Sequence, residues 1–165
     1  MTRSLRSRIV GFFTIVAALS GVDVYAASLR EIIDRNGRDY VLANAKTIAA
    51  QLEDRDKYVL ARILIADLRG SEAPDILIPL AQKGDLPSIR ILAVNFGLGK
   101  EGFKSNRPQT SIWTVKLENI AAGHDEKQRR AALGTLCDIY RDWNHLLYSK
   151  ELAVKYCEAL FNLPD

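Results

Sequence analysis

A phrase of small apolar residues and turn residues occurs twice between Leu80 and Gly134, and it constrains the fold more than any other feature. Each copy has a small or apolar pair, a turn that carries Asp and, further on, Leu followed by Ala or Gly. The copies are Leu80-Ala81, Gly84-Asp85 and Leu92-Ala93, then Ala121-Ala122, Asp125-Glu126 and Leu133-Gly134, with a weaker one at Ile48-Ala49, Leu52-Glu53 and Leu60-Ala61. Asp favours helix starts and Gly favours helix ends. We therefore interpret each copy as the end of one helix, a tight turn and the start of the next.

Apolar residues recur three and four positions apart from residue 28 almost to the C-terminus, which is the periodicity of helices with one buried face. No run of alternating β-branched residues indicates a strand. The pattern predicts one all-α domain of eight helices in four antiparallel pairs. Their approximate bounds are 29–35, 39–52, 54–68, 74–81, 86–97, a helix capped by Thr110 or Ser111 that runs through Ala121, 126–143 and 149–161.

The repeated phrase resembles the Sel-one-like repeat, a longer and more variable relative of the tetratricopeptide repeat. The first copy matches that pattern well, including Phe96 and the glycine-rich end of its helix at residues 97–100. The second copy matches at Leu133-Gly134 and Tyr140, but Gly123-His124 lies two positions early. The resemblance implies a short right-handed α-solenoid that binds proteins or peptides on a concave surface. Relatives outside the cytosol include bacterial envelope proteins and immunity proteins that neutralise toxins delivered by type VI secretion.

The N-terminal 26 residues have the pattern of a secretory signal. A basic start is followed by an uncharged, mostly apolar run over residues 9–22, and small residues Val24 and Ala26 suit a cleavage site. We predict cleavage after Ala26, no membrane anchor afterwards and a periplasmic location for residues 27–165. The alternative is an uncleaved anchor, although the apolar run is shorter than the about 20 residues of a typical membrane span.

The formal charge of +3 reflects 23 Lys and Arg against 20 Asp and Glu. Much of the excess lies in residues 1–26, which contain three basic residues, Arg3, Arg6 and Arg8, and one acidic residue, Asp23. The rest of the chain is nearly neutral, whereas nucleic-acid binding needs a basic surface. No nucleic-acid partner is therefore predicted.

The chain has two cysteines, Cys137 and Cys157, each predicted on the apolar face of one arm of the last helical pair. An even number of cysteines in an oxidising compartment tends to pair. We predict a disulfide that stabilises the terminal pair by about 3 kcal/mol. Two buried thiols are the alternative.

No pattern of residues in the sequence indicates catalysis or metal binding. His124 and His145 are the only histidines, and no clustered Cys and His or acidic calcium loop is present, so no metal or cofactor is predicted. Most carboxylates fall near helix starts or on solvated faces. A catalytic triad assembled from distant positions is left open, because its members need not be adjacent.

Candidate contact residues for a partner lie in two loops and one basic patch. The residues are Phe103, Lys104 and Arg107 in the loop 99–109, Trp143, His145 and Tyr148 in or beside the loop 142–149, and Arg129 and Arg130 in the patch. Aromatic residues are enriched at binding hot spots, and loops on a rigid scaffold often carry function. The alternatives are packing for the aromatic residues and a solvated face for the arginines.

Taken together, the sequence predicts an exported, non-catalytic protein that binds another protein. The most specific hypothesis is an immunity protein that occludes a secreted toxin. A periplasmic scaffold or regulatory adaptor is the first alternative, and an envelope hydrolase is the second.

Overall fold

The computed structural model describes residues 27–164, and every regular element within that range is a helix. The predicted signal over residues 1–26 lies outside the described residues. The helices are α1 (Leu29–Asn36), α2 (Arg38–Ala43), α3 (Ala45–Ala49), α4 (Asp54–Ala66), α5 (Ala73–Gln82), α6 (Leu86–Leu98), α7 (Arg107–Ala121), α8 (Glu126–Arg141) and α9 (Lys150–Phe161). The all-α prediction is confirmed, with nine helices rather than eight in the described range.

Consecutive helices pack against each other along the chain, and α6 also contacts α8. The two strong copies of the phrase form turns as predicted. Gly84, at φ +93°, precedes Asp85, whose carboxylate accepts from the Ser88 N–H at 2.9 Å at the start of α6. Asp125 caps α8 in the same way, accepting from the Gln128 N–H at 2.9 Å. Each turn therefore reverses the chain between two packed helices.

The predicted helix over residues 39–52 is wrong, because the chain forms two shorter helices that meet at Asn44. The Asn44 side-chain amide donates to the Tyr40 carbonyl at 2.9 Å. Asn side chains compete in this way for backbone groups and disfavour helix interiors. The pair α2 and α3 also ends earlier than predicted, at Ala49.

The predicted cap of α7 at Thr110 or Ser111 is also wrong. The helix begins at Arg107, because the Asn106 side-chain oxygen accepts from the Gln109 N–H at 3.1 Å. Thr110 is buried within the first turns, and its hydroxyl donates to the Asn106 carbonyl at 2.8 Å. The intervening loop is therefore shorter than predicted and ends before Arg107. At the other end of the domain, α8 stops at Arg141 rather than at residue 143.

Alanines account for the close approach of the helices. Five of them, from α4, α5, α6 and α8, are fully buried: Ala61, Ala73, Ala81, Ala93 and Ala132. Small residues at a crossing allow neighbouring helices to come together. Gly134, the last residue of the second strong copy, has room for a methyl group, since the nearest atom would lie 3.9 Å away on Leu160. At that position smallness is not required by packing.

A disulfide joins α8 to α9, as predicted. Cys137 and Cys157 are 20 positions apart in sequence, and their Cα atoms are 4.9 Å apart. Cys137 is buried, while Cys157 is half-buried. The bond closes a loop that contains the whole connection 142–149, so it holds that connection against the helical array.

We expect Cys137→Ala/Cys157→Ala to lower the free energy of unfolding by about 3 kcal/mol, because the unfolded chain regains the entropy of the closed loop. Urea unfolding of the oxidised protein and of this variant measures the difference. A reducing agent should destabilise the wild type and leave the variant unchanged. Two thiols that react with iodoacetamide before reduction would contradict the bond.

A second tie between the last three helices is polar. The hydroxyls of Tyr140 and Tyr156 both donate to one carboxylate oxygen of Glu118, at 3.0 and 2.9 Å. The two rings stack with their centroids 5.4 Å apart. Burial, together with the hydrogen bond to Glu118, raises the pKa of Tyr156 to about 12. Burial and Glu118 also raise the pKa of Tyr140 well above its usual value.

These pKa shifts predict an alkaline loss of stability. Between about pH 10 and about pH 12 the folded state holds phenol protons that the unfolded state releases, so the free energy of unfolding falls as pH rises. Urea unfolding across this range should show a steeper decline for the wild type than for Tyr140→Phe/Tyr156→Phe. Equal slopes would show that neither phenol is linked to folding. Tyr40→Phe, at an exposed position, serves as the control.

Candidate binding groove

A groove of about 770 Å³ crosses α4, α6 and α8. It is lined by Tyr58, Arg62, Ile65, Ala66, Leu68, Pro87, Arg90, Ile91, Val94, Asn95, Glu101, Thr135 and Asp138. The residues from each helix recur three or four positions apart, so each helix contributes one stripe. We refer to this surface as the groove.

The floor of the groove is apolar and only partly covered. Ile65 of α4 and Ile91 and Val94 of α6 are half-buried, and each packs on the core from the groove side. Pro87 lies in the first turn of α6, where its missing N–H costs nothing. The arrangement leaves apolar area that the helices of this domain do not cover.

The cations and anions of the groove are unequally paired. Glu101 accepts from the Asn95 side-chain amide at 3.0 Å, and Asp138 pairs with Arg141 at 2.8 Å. Arg90 donates from Nε to the hydroxyl of Thr135 at 2.6 Å, a neutral partner. Among residues 27–164 neither Arg62 nor Arg90 has a carboxylate within ion-pair distance. Glu101, whose partner Asn95 is neutral, is the one carboxylate of the groove without an ion pair, so the unpaired charges are two positive and one negative and their sum is positive.

Leu68 stands at the rim of the groove in an unfavourable conformation. Its φ is +59°, and its side chain is 81% exposed. It lies just past the end of α4, where the Arg69 N–H donates to the Leu64 carbonyl at 2.8 Å and the Leu68 N–H donates to the Ile65 carbonyl at 3.1 Å. This is a Schellman ending, in which Gly usually takes the left-handed position. Leu there costs about 1–2 kcal/mol and gains no burial in return.

Of the predicted contact residues, those in the loop 142–149 are divided between surface and interior. Trp143 is 77% exposed and Tyr148 is 41% exposed. His145 is buried: its Nε2 donates to the Ala93 carbonyl at 3.2 Å, and its Nδ1 accepts from the Leu147 N–H at 3.2 Å. Both ring nitrogens are thus engaged by backbone groups, and His145 lies in the interior, out of reach of a partner.

Gly97 makes the seating of His145 possible. A Cβ on Gly97 would come within 1.8 Å of the His145 Nε2 atom. The Gly97 carbonyl also accepts from the Leu146 N–H at 3.2 Å. Sequence reasoning assigned Gly97 to the end of α6, but it lies inside the helix, and Gly99 at φ +62° ends it. The loop 142–149 is therefore seated on the C-terminal end of α6.

The loop 99–106 is held against the domain as well. Phe103 is buried and meets Phe96 edge to face, with ring centroids 5.2 Å apart. The backbone of Gly102 lies so close to Gly70 that a Cβ on Gly102 would be 2.8 Å from the Gly70 nitrogen. Phe103 is thus a packing residue in the interior. Lys104 and Arg107, the other two residues predicted there, are exposed.

The predicted basic patch lies on the first turns of α8. Arg129 and Arg130 are exposed, and Arg130 donates to the Pro164 carbonyl near the C-terminus. None of the eight predicted contact residues lines the groove. Arg62, Leu68 and Arg90, which do, were not singled out by sequence reasoning. A signal was present in the arginines, since each interrupts an otherwise apolar helix face.

A second cleft, of about 390 Å³, lies between α3, α4 and α5. Its lining carries three lysines and three acidic residues, and Asp54 at its edge pairs with Lys83 at 2.7 Å and Lys57 at 3.6 Å. The hydrogen bond to Lys83 lowers the pKa of Asp54. Part of the charge in this cleft is therefore already neutralised within the domain.

Within residues 27–164, no group of His, Cys, Asp and Glu is arranged to hold a metal ion. Over the same range no helix has both the length and the apolar character to cross a membrane.

Comparison of the chain with protein-family models, with curated proteins and with solved structures finds no match.

The environment of His145 predicts a loss of stability in mild acid. Burial lowers the pKa of His145, and the Ala93 carbonyl and Asp142 oppose that shift without cancelling it. The unfolded state therefore binds a proton first as pH falls through about 6.5, and the free energy of unfolding should fall from about pH 7.5 to about pH 5.5. Urea unfolding at these pH values should show a shallower slope for His145→Gln. His124→Gln, in an exposed turn, is the matched control; equal loss of slope in both variants would contradict the assignment.

Proposed function

We propose that this chain is an exported, non-catalytic protein-binding protein and that the groove receives a segment of its partner. The observation that carries the proposal is Leu68, an exposed apolar residue held in the left-handed region at the groove rim. Backbone strain without a packing benefit is concentrated at functional positions. A partner that covered Leu68 would supply the missing burial.

Binding is favoured over catalysis by the state of the polar groups. The groove carboxylates of Glu101 and Asp138 already have partners, and His145 uses both ring nitrogens within the fold. A general base needs an available lone pair within reach of substrate. The groove instead offers apolar area and two cations, which suit recognition of another chain.

We also propose that the helices form a short right-handed α-solenoid of the Sel-one-like kind. The support is the order of contacts, in which each helix packs on the next and α6 contacts α8, and the recurrence of Asp-capped turns at the start of α6 and α8. In solenoids, alternate helices line one continuous surface, which serves for binding. The groove is lined in the same way, by the alternate helices α4, α6 and α8.

The most specific form of the proposal is a periplasmic immunity protein that occludes a secreted toxin. The N-terminal signal pattern and the Cys137–Cys157 disulfide support an oxidising compartment. A small helical domain that is held by a disulfide and carries an open groove suits a stoichiometric inhibitor. A periplasmic scaffold or adaptor would use the same groove for a host protein.

Co-expression with periplasm-directed toxins encoded beside this gene tests the proposal. We expect the wild-type chain to restore growth and to co-purify with the toxin, and Leu68→Asn to lose both properties. Asn tolerates the left-handed conformation, so this variant should keep its free energy of unfolding or gain up to about 1 kcal/mol. Loss of protection therefore cannot be ascribed to unfolding.

The matched control is Val115→Asn, which changes an exposed apolar residue of α7 outside the groove. It should protect as the wild type does. Continued killing with no complex for any adjacent toxin would reject the immunity role. Full protection by Leu68→Asn would reject the groove as the site, and loss of stability in Leu68→Asn would show that the strain at Leu68 is not as described.

A further inference from the structure

We propose that the groove selects a protein segment in which acidic residues are flanked by apolar ones, with Arg62 and Arg90 receiving the carboxylates. This inference rests on the proposed protein-binding function and adds the chemistry of the partner. It starts from the unequal pairing of charges in the groove: both arginines lack an acidic partner among the described residues, whereas of the two carboxylates only Glu101 lacks a basic one.

Arg90 is oriented for an incoming carboxylate. Its Nε–H donates to the Thr135 hydroxyl, which itself donates to the Ala131 carbonyl at 3.0 Å. This chain of hydrogen bonds fixes the plane of the guanidinium, while the terminal nitrogens make no hydrogen bond with residues 27–164. A preorganised guanidinium loses little entropy on binding, and its planar fork matches a carboxylate.

Arg62 provides the second cation from the neighbouring stripe. It is exposed, lies one turn after Tyr58 and one turn before Ile65 on α4, and makes no ion pair with the described residues. Two cations over an apolar floor leave a charge that water alone solvates. A segment with acidic and apolar side chains would complement both features, because complementary potentials favour one partner over others.

The same observations favour a protein segment over a polyanion. Phosphate backbones and anionic membranes are held by rows of Lys and Arg. Here the cations are two, the floor is formed by Ile65, Ile91 and Val94, and the chain beyond the N-terminal segment is nearly neutral. Apolar side chains on the occupant are needed to cover such a floor.

A phage-displayed library of random 12-residue peptides, panned against the purified, oxidised chain, tests the inference. We expect enrichment of Asp and Glu beside Leu, Ile or Phe. Synthetic copies of the enriched peptides should bind Arg62→Glu/Arg90→Glu more than about tenfold more weakly in fluorescence anisotropy. Panning against that variant should enrich Lys and Arg instead.

The matched control is Arg35→Glu/Arg55→Glu, which makes the same change in net charge at two exposed arginines that lie outside the groove and outside the predicted contact sites. It should bind the peptides as the wild type does. Circular dichroism and thermal unfolding show whether each variant is folded, and Arg62→Gln/Arg90→Gln replaces the charge-reversed variant if that one is not. An equal loss in the control would reduce the effect to general electrostatics and overturn the inference.

Further outcomes separate this inference from the function on which it rests. Peptides that lack carboxylates but lose affinity with Leu68→Asn would overturn the charge selection and leave the groove as a binding site. Peptides that are insensitive to both Leu68→Asn and the arginine variants would overturn both. Failure to enrich any peptide, or binding only to phosphatidylglycerol vesicles, would also overturn the inference.

Discussion

Helix α6 is covered on most of its circumference, and the positions of α5, α7, α8 and two loops follow from that covering. Its buried residues are Ser88, Ile89, Leu92, Ala93, Asn95, Phe96 and Gly97. Helices α5, α7 and α8 pack around it, and the loops 99–106 and 142–149 cover its C-terminal end. Burial of a helix on this scale releases much apolar area from water, which is the main favourable term in folding. The stripe that remains, with Pro87, Arg90 and Ile91, is part of the groove.

Three polar groups of α6 are paired with groups of the two loops or their ends. Asn95 donates to Glu101, and the Phe96 and Gly97 carbonyls accept from Asn106 and Leu146 of the two loops. Buried polar groups without partners cost about 1–3 kcal/mol each, so these bonds fix the paths of loops that carry little apolar surface. The loop 99–106, which looks polar and variable in sequence, is therefore part of the packed structure. The exposed residues beside it, Lys104 and Arg107, are presented on a defined backbone.

The groove follows from the same packing. Each of the helices α4, α6 and α8 leaves one stripe of residues that the rest of the domain does not cover. The three stripes form one surface because α6 contacts both α5 and α8. Strain at Leu68 and unpaired charge at Arg62 and Arg90 are concentrated on that surface. Two other unusual features of the described chain have structural explanations. Gly97 accommodates His145, and the raised pKa values of the paired tyrosines follow from burial and from Glu118.

Local physics accounts for what was predictable. Helical periodicity, Asp caps and a paired cysteine count identified the all-α fold, the two principal turns and the Cys137–Cys157 bond. The failures lie where a side chain competed with the expected pattern. Asn44 divided one helix, and Asn106 began α7 before the expected cap. Phe103 and His145 were predicted to be contact residues, but both are buried. His145 is buried against Ala93 and Gly97, which lie more than 30 positions away in sequence. Phe103 is buried because the loop 99–106 folds back and brings it against Phe96.

The amino-acid sequence by itself determined the all-α class, the two Asp-capped turns and the pairing of the cysteines, because each depends on periodicity, on capping within a few residues or on the number of cysteines present. Only the tertiary structure decided which exposed residues share a surface. Arg62, Leu68 and Arg90 lie on separate stretches of the chain, and they meet because helices α4 and α6 pack through α5. Likewise, the tautomer of His145 is set by Ala93 and Leu147, contacts that exist only once the last loop is seated on α6. Contacts between residues far apart in the chain leave no local pattern in the sequence, and the groove is formed by such contacts.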